Sequence, residues 1–508
     1  MRSELIALLC LGPAALGGVA ALATDALSMK RTATALALAG LAAASGFSVW
    51  ASAVHPVDSA WGVVRVGGPV SAVGAVVSVT AALALLGGWA VFGERRNGGT
   101  FAALVALSAV ASVVVATSRD VTLLLIALET AAVCAYALVL GSGTKRSSEA
   151  AMKYFIQSAL ATGFLLVAIA VLVSVFIPQG DLNGLVNAFS RNGLFSVAMT
   201  GIVLLLSVLA FKAGAAPFHS WAPDVYETAS PEVTAFLASG PKVAAITAAT
   251  IILELVASDT SASTSSVRAM TAVALVISVI AVASVLIGSL VALRQRSYTR
   301  MLAYAGIAQA GYALIGASTL NNPAAAVFFV SIYALATVGT FLAATAFHRI
   351  DPSWDGSVSG LAGMGRTAPV LSASLTVLLL SLAGIPPLLG FWGKFVVFGG
   401  ALLQASSAFA AGLTAVGWIS AIAAGVGILG SIVSLGYYGA VLRALYLVPA
   451  AAPASGVELD SLSAAGESAR GVGMIVTVVV LLAVAVVVLG LVPMVWGLAP
   501  IVSPFVAR

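Results

Sequence analysis

Apolar stretches of some 20 residues recur along the whole chain, separated by short segments carrying charge, glycine, proline or asparagine. As a helix, a run of about 20 residues crosses a hydrocarbon core of about 30 Å. A membrane barrel would instead alternate apolar and polar positions over strands of about ten residues. The pattern predicts an all-α integral membrane protein with about fourteen spans, at 4–24, 32–51, 70–92, 101–118, 121–141, 152–177, 193–214, 232–256, 267–293, 300–318, 323–347, 367–400, 410–446 and 471–496. Two runs are longer than a simple crossing needs. Residues 367–400 contain Pro386 and Pro387, and the glycine-rich run 410–446 has the length to tilt. The first run follows Met1–Glu4 with one basic residue before it and no A-x-A site. It is expected to be a span and not a cleaved signal.

Composition sharpens this picture. Of 508 residues, 61% are hydrophobic and 8% charged, whereas soluble domains carry about 25% charged residues. A water-facing surface cannot be built from so few. Cys10 and Cys134 are far apart and within apolar runs, and no C-x-x-C occurs. That spacing signals no disulfide framework, iron–sulfur cluster or attached haem. The net charge of +5 is read as basic loops and not as a nucleic-acid surface. Thirteen Lys and Arg fall in loops after odd-numbered spans and six on the other side. The positive-inside rule then places odd-numbered loops in the cytoplasm and both termini outside it.

Four basic residues remain, Lys153, Lys212, Lys242 and Lys394, all within spans. A lysine at a helix centre costs about 2.5–3.5 kcal/mol on the insertion scale. These lysines must therefore face a hydrated interior, pair with acids or be uncharged. Lys153, one residue inside its span, can also snorkel to the interface, and so can Glu254 near the end of the eighth span. Glu129 lies nine residues into the fifth span, Lys242 follows Pro241 ten residues into the eighth, and Lys394 follows two prolines. The runs LLLSVLAFKAGAAPFHSW (204–221) and LLLSLAGIPPLLGFWGKF (378–395) each join an apolar stretch, small residues, proline and a lysine. Proline breaks helices, and freed backbone groups in a membrane are tolerated where they line a polar cavity. Paired breaks in two halves of a chain point to an inverted-repeat transporter; two unrelated proline kinks are the alternative.

These same residues carry a resemblance. FKAGAAPFHSWAPDVYETASPEVTAFL (211–237), LSLAGIPPLLGFWGKF (380–395), SSEAAMKYFIQSA (147–159) and RMLAYAGIAQAGY (300–312) resemble, in order, the antiporter-like proton-pumping subunits of complex I, the respiratory NADH:quinone oxidoreductase. Among these subunits the chain most resembles subunit N, called subunit 2 in mitochondria. The resemblance implies a single membrane domain over 1–508 in a bacterial plasma membrane. Helices 1–3 would occupy 1–100. Two inverted five-helix repeats would occupy 101–256 and 267–446, with helices 7 and 12 broken, followed by a cytoplasmic loop at 447–470 and a last helix in 471–508. It implies a relay of Glu129 on the fifth helix, Lys153 on the sixth, Lys212 on the broken seventh (paired with that glutamate), Lys242 on the eighth and Lys394 on the broken twelfth. A sister subunit carries glutamate at the last place, so lysine favours subunit N. His219 and Pro217 in the first break, and Pro386 and Pro387 in the second, are secondary candidates, His219 with a structural role as open as a proton-handling one. Some relatives have histidine where this chain has Gln309, and glutamine cannot titrate.

The expected mechanism follows from electrostatics. Burial disfavours a charged lysine and a nearby carboxylate favours it, so separating Glu129 from Lys212 would release a proton toward Lys242 and then Lys394. The direction of travel is the family's. No nucleotide-binding unit or metal motif is present, and there are three histidines, His55, His219 and His348. By resemblance NADH, FMN, iron–sulfur clusters and quinone belong to partner subunits, with no cofactor in this chain. The expected partners are other membrane and peripheral subunits of complex I, lipid, water and protons, with no nucleic acid. Competing readings are a subunit of a multi-subunit Na⁺/H⁺ antiporter, a passive membrane scaffold, and a subunit of a membrane-bound hydrogenase or other dehydrogenase assembly. The segment 451–470 is expected to be a mobile loop without assigned function.

Overall fold

The structure is a computed structural model, and it describes residues 2–58, 62–95, 97–175, 180–182, 184, 195–257, 264–319, 324–449 and 465–491. Most of the expected loop 451–470 and the end of the chain lie outside the described residues.

The helices in chain order are α1 (Arg2–Ala26), α2 (Lys30–Ser52), α3 (Gly68–Gly87), α4 (Trp89–Glu94), α5 (Gly98–Thr117), α6 (Val121–Leu140), α7 (Lys145–Val175), α8 (Phe195–Ala213), α9 (Trp221–Thr228), α10 (Pro231–Leu237), α11 (Gly240–Ala257), α12 (Thr264–Ala292), α13 (Tyr298–Ala317), α14 (Ala324–Ile350), α15 (Met364–Thr367), α16 (Pro369–Ala383), α17 (Leu389–Ala410), α18 (Thr414–Leu447) and α19 (Ala465–Leu491). The sequence pattern did not anticipate a two-residue antiparallel pair, Val57–Asp58 with Arg65–Val66, nor the short α4, α9, α10 and α15.

Twelve segments among the described residues are long and apolar enough to cross a membrane. Two further expected crossings fall short of that measure for physical reasons. All but three of the 20 residues of α13 are buried in protein, so its surface needs no lipid-like composition. The run 367–400 is split into α16 and α17, and α17 continues to Ala410. Counting these two gives the fourteen crossings expected.

Position within the bundle follows composition. α13 packs against α9, α11, α12, α14, α17 and α18, and α5 packs against α1, α2, α3, α6 and α11. α7 touches mainly α6, α8 and α9 and exposes Phe155, Ile156, Leu160 and Leu166. In lipid, association rests on close packing, which small residues permit. A Cβ on Gly17 of α1 would come within 2.7 Å of the Leu36 carbonyl on α2, and one on Gly288 of α12 would crowd the backbone of α13.

Helix ends need partners as well, because their first N–H groups lack intrahelical acceptors. Asp120 caps α6 by accepting from the N–H groups of Thr122 and Leu123. For α5 the cap comes from another helix. Asp25, near the end of α1, accepts from Gly99 N at 3.1 Å, Thr100 N at 2.9 Å and Thr100 Oγ1 at 2.5 Å. Asp25→Ala removes this cap and is expected to cost about 1–2 kcal/mol, read as a lowered thermal midpoint of the detergent-solubilised assembly, with Asp25→Asn intermediate.

Candidate functional site

Both proline-containing breaks are built on one plan, offset by 170 residues. α8 ends at Ala213 and α16 at Ala383. The next residue is Gly214 (φ 69°) or Gly384 (φ 88°), a left-handed conformation that glycine adopts without penalty. The following N–H groups turn back five residues, Ala215 to the Ala210 carbonyl at 2.8 Å and Ile385 to that of Leu380 at 3.0 Å. A cis peptide bond precedes Pro217 in one break and Pro387 in the other. Pro217, Pro386 and Pro387 are exposed in the chain.

The lysines sit differently about these breaks. Lys212 lies one residue before the end of α8, and Lys394 lies in α17, beyond the second break. Lys394 reaches back: Nζ donates to the Ala383 carbonyl at 2.9 Å and to Ser431 Oγ at 2.8 Å. It thus occupies a carbonyl that the truncated helix leaves open. Gln309 of α13 does the same for the neighbouring Leu382 carbonyl, at 3.0 Å. In the first break, Trp221 Nε1 donates to the Phe211 carbonyl at 3.0 Å and Ala216 N to Ser284 Oγ at 2.8 Å.

Glu129 and Lys212 are brought together, but not into the direct pair that was expected. They make no ion pair within 4.0 Å. Lys212 Nζ donates to Ser158 Oγ at 2.9 Å, and Thr162 Oγ1 donates to Glu129 Oε1 at 2.6 Å. Ser158 and Thr162 stand one turn apart on α7, one hydroxyl bonded to each of the two groups. A cavity of about 30 Å³ touches Lys212, Tyr154, Trp221, Pro241 and Ala244, which exceeds the room one water needs and leads toward the helix that carries Lys242.

Lys242, 3% exposed, donates to the Gly306 carbonyl of α13 at 2.8 Å and lies 5.3 Å from the centre of the Tyr333 ring. Lys394, 5% exposed, lies 4.9 Å from the ring of Tyr312. Gly306, Gln309 and Tyr312 follow at three-residue spacing along one side of α13. That helix therefore carries a partner of Lys242, the glutamine that holds α16, and a partner of Lys394. A small cavity lined by Gln309, Tyr333, Ser381 and Lys394 lies along the same path. Sequence reasoning singled out Gln309 but not Gly306, Tyr312, Tyr333, Ser158, Thr162 or Ser431. An ordinary serine or tyrosine in a helix carries no distinguishing signal until its neighbours are known.

Lys153 stands apart from the buried lysines. α7 begins at Lys145, so Lys153 is eight residues past its start, and its side chain is 49% exposed. It pairs with Glu149 at 2.8 Å and Asp224 at 3.3 Å. Asp224 also pairs with Arg300 at 3.1 Å, and Arg300 with Glu227 at 2.8 Å, so the network ties α7 and α9 to α13. His219 is half-buried in the first break, beside the backbone of Pro217. Glu232 was not anticipated. It is 2% exposed at the start of α10, 3.1 Å from Arg95, and accepts from Thr345 Oγ1 at 3.2 Å.

Residues 118–420 match the family described as NADH:quinone oxidoreductase/Mrp antiporter, TM. That segment contains Glu129, all four lysines and both breaks. The chain is 38% identical over 370 residues to NADH-quinone oxidoreductase subunit N 2 of Acidobacterium capsulatum, covering 72% of this chain and 71% of that one. It is 34% identical over 425 residues to NADH-quinone oxidoreductase subunit N of Hirschia baltica, with 82% of each covered. A chain of respiratory complex I from Thermus thermophilus with bound aureothin superposes with a TM-score of 0.71 and 28% identity, covering 96% of this chain and 98% of that one. On these matches, this multi-pass chain belongs to the NADH:quinone oxidoreductase/Mrp antiporter family of membrane subunits.

Proposed function

We propose that this chain is subunit N of a bacterial respiratory NADH:quinone oxidoreductase, and that it moves protons across the plasma membrane through Glu129, Lys153, Lys212, Lys242 and Lys394. One observation carries the relay. Among the described residues, Lys212, Lys242 and Lys394 have no carboxylate within 4.0 Å; their partners are hydroxyls, carbonyls and aromatic rings. A permanent buried charge without a counter-ion is expensive. Neutral partners suit a lysine that holds a proton transiently, since the same hydroxyls and carbonyls accept from either protonation state.

In this reading Lys212 is the carrier on the uptake side, Lys242 the middle relay and Lys394 the gate on the release side. Lys153 stands at the mouth of the path, on the helix that presents Glu149, Gln157, Ser158 and Thr162 in turn. His219, Pro217, Pro386 and Pro387 hold the breaks in shape. The two repeats, 101–256 and 267–446, each supply one break, and both termini lie outside the cytoplasm. Moving one charge against 100 mV costs about 2.3 kcal/mol, so a driver is required. Cys10 and Cys134 are unbonded and on separate helices, which gives no thiolate set for a cluster. The reading therefore assigns NADH, FMN, iron–sulfur clusters and quinone to partner subunits, and this chain to the translocase part of the reaction.

Lys212→Ala is the decisive test. In inverted membrane vesicles with the complex assembled, NADH-driven quinone reduction and proton uptake are both expected to fall by about tenfold, or about 1.4 kcal/mol in the limiting barrier. Normal rates of both would leave a scaffold role in place of the relay. Loss of proton uptake that depends on added Na⁺, with no link to NADH oxidation, would point to an antiporter assembly.

Gly306 supplies a second test. A Cβ there would stand 2.8 Å from Tyr333 Oη and 3.2 Å from Lys242 Nζ. Gly306→Ala is expected to displace Lys242 from its carbonyl and slow proton uptake by about fivefold to tenfold, the rate equivalent of about 1–1.4 kcal/mol, or one ordinary hydrogen bond. Assembly, followed by native gel, is expected to be retained.

A further inference from the structure

We infer that Ser158 and Thr162 form a hydroxyl bridge that keeps Glu129 and Lys212 an indirect pair, so that Lys212 stays close enough to sense the glutamate and loose enough to leave it. The inference rests on the relay reading above and adds two positioning residues to it.

The geometry of the four side chains supports this. Thr162 has one hydroxyl hydrogen and two acceptors in reach, Glu129 Oε1 at 2.6 Å and the Ser158 carbonyl at 2.9 Å. A hydrogen bond to an ionised carboxylate is short and stronger than one to a neutral carbonyl. The hydrogen therefore points to Glu129 while that residue is charged, and it has the Ser158 carbonyl to turn to once Glu129 is neutral. Ser158, fully buried, accepts from Lys212 Nζ one turn earlier on the same helix. α7 thus presents one hydroxyl to each charge.

Bonding of a threonine to the carbonyl four residues back is common in helices and by itself would explain Thr162. It does not explain why the lysine of α8 and the glutamate of α6 each select a hydroxyl of α7 in place of one another. A direct contact in a low-dielectric interior would be far stronger than the same contact in water, and it would hold Lys212 charged and fixed. With the bridge, the attraction acts across two hydroxyls, and a modest shift of α6 or α8 against α7 changes it. Mobility of this kind is what a switch between holding and releasing a proton requires.

The test uses the assembled complex in inverted vesicles, with NADH oxidation and proton uptake recorded together for four variants. Thr162→Val keeps the shape and removes the hydroxyl, and Thr162→Ser keeps the hydroxyl. Ser158→Ala removes the other one, and Lys212→Ala is the benchmark for the relay. Thr162→Val and Ser158→Ala are expected to lower both rates by about tenfold, as for one lost hydrogen bond to a charged group, while Thr162→Ser stays within about twofold. If Thr162→Val and Ser158→Ala match the unmodified protein while Lys212→Ala does not, the bridge is wrong and the relay stands. If Thr162→Ser is as impaired as Thr162→Val, shape and not the hydroxyl is what matters, and the bridge is again wrong. Should Thr162→Val fail to assemble, Ser158→Ala decides by the same criterion. If Lys212→Ala is itself unaffected, the relay reading fails and the bridge with it.

Discussion

The hydrocarbon core offers no water to a broken helix, and much of this molecule is arranged around that constraint. Backbone groups freed in the middle of a bilayer must find partners within the protein. Here they find them in side chains that also belong to the candidate path. The carbonyl of Ala383 is taken by Lys394, that of Leu382 by Gln309 and that of Phe211 by Trp221. Satisfying the break and positioning the lysine are thus one interaction at the second site. Removing Lys394 would take a buried lysine from the candidate path and leave the Ala383 carbonyl with only Ser431 Oγ, at 3.1 Å.

The same constraint explains the central place of α13. A helix buried in protein at every position from Ala305 to Ala317 can carry Gly306, Gln309 and Tyr312 on one side without meeting lipid. Gly306 lets Lys242 approach the backbone, and Tyr312 offers Lys394 the face of its ring. Through these contacts α13 joins the lysine that follows the first break to the lysine that follows the second. Glutamine at position 309 does not interrupt this arrangement. Its amide serves the backbone of α16, a task that a titrating side chain would perform in only some of its states.

Much of this was legible in the sequence because membranes impose simple rules. Apolar length gave the crossings, and four lysines stood out because each is costly where it lies. Gly-x-x-Pro and Gly-x-Pro-Pro in apolar runs marked the breaks. What stayed hidden depended on which helix faces which. Ser158 and Thr162 look like ordinary small polar residues, and only the packing of α7 against α6 and α8 brings them to Lys212 and Glu129. The sixth span read as starting near Lys153, because the polar turn 145–151 masked the true helix start. Two extra turns of helix then allow Lys153 to meet Asp224 of α9. Glu232 lay inside a quoted motif and drew no attention, because its partner Arg95 is 137 positions earlier in the chain.

Glu232 supplies the contrast that clarifies the lysines. It is as thoroughly buried as Lys242, yet it has an arginine within 3.1 Å and a threonine hydroxyl as donor. That pair joins the loop after α4 to α10 and α14, and breaking such a pair leaves an uncompensated buried charge, at a cost of about 3–5 kcal/mol. A charge held that firmly suits architecture. Lys212, Lys242 and Lys394 are held instead by groups that tolerate the loss of a proton. One bundle therefore buries two kinds of charge, one paired and one with neutral partners. The difference cannot be a general limit of the fold, since the bundle does supply a counter-ion where α10 needs one. It is local to the helices that meet the breaks, where the proposed relay needs a charge that can move.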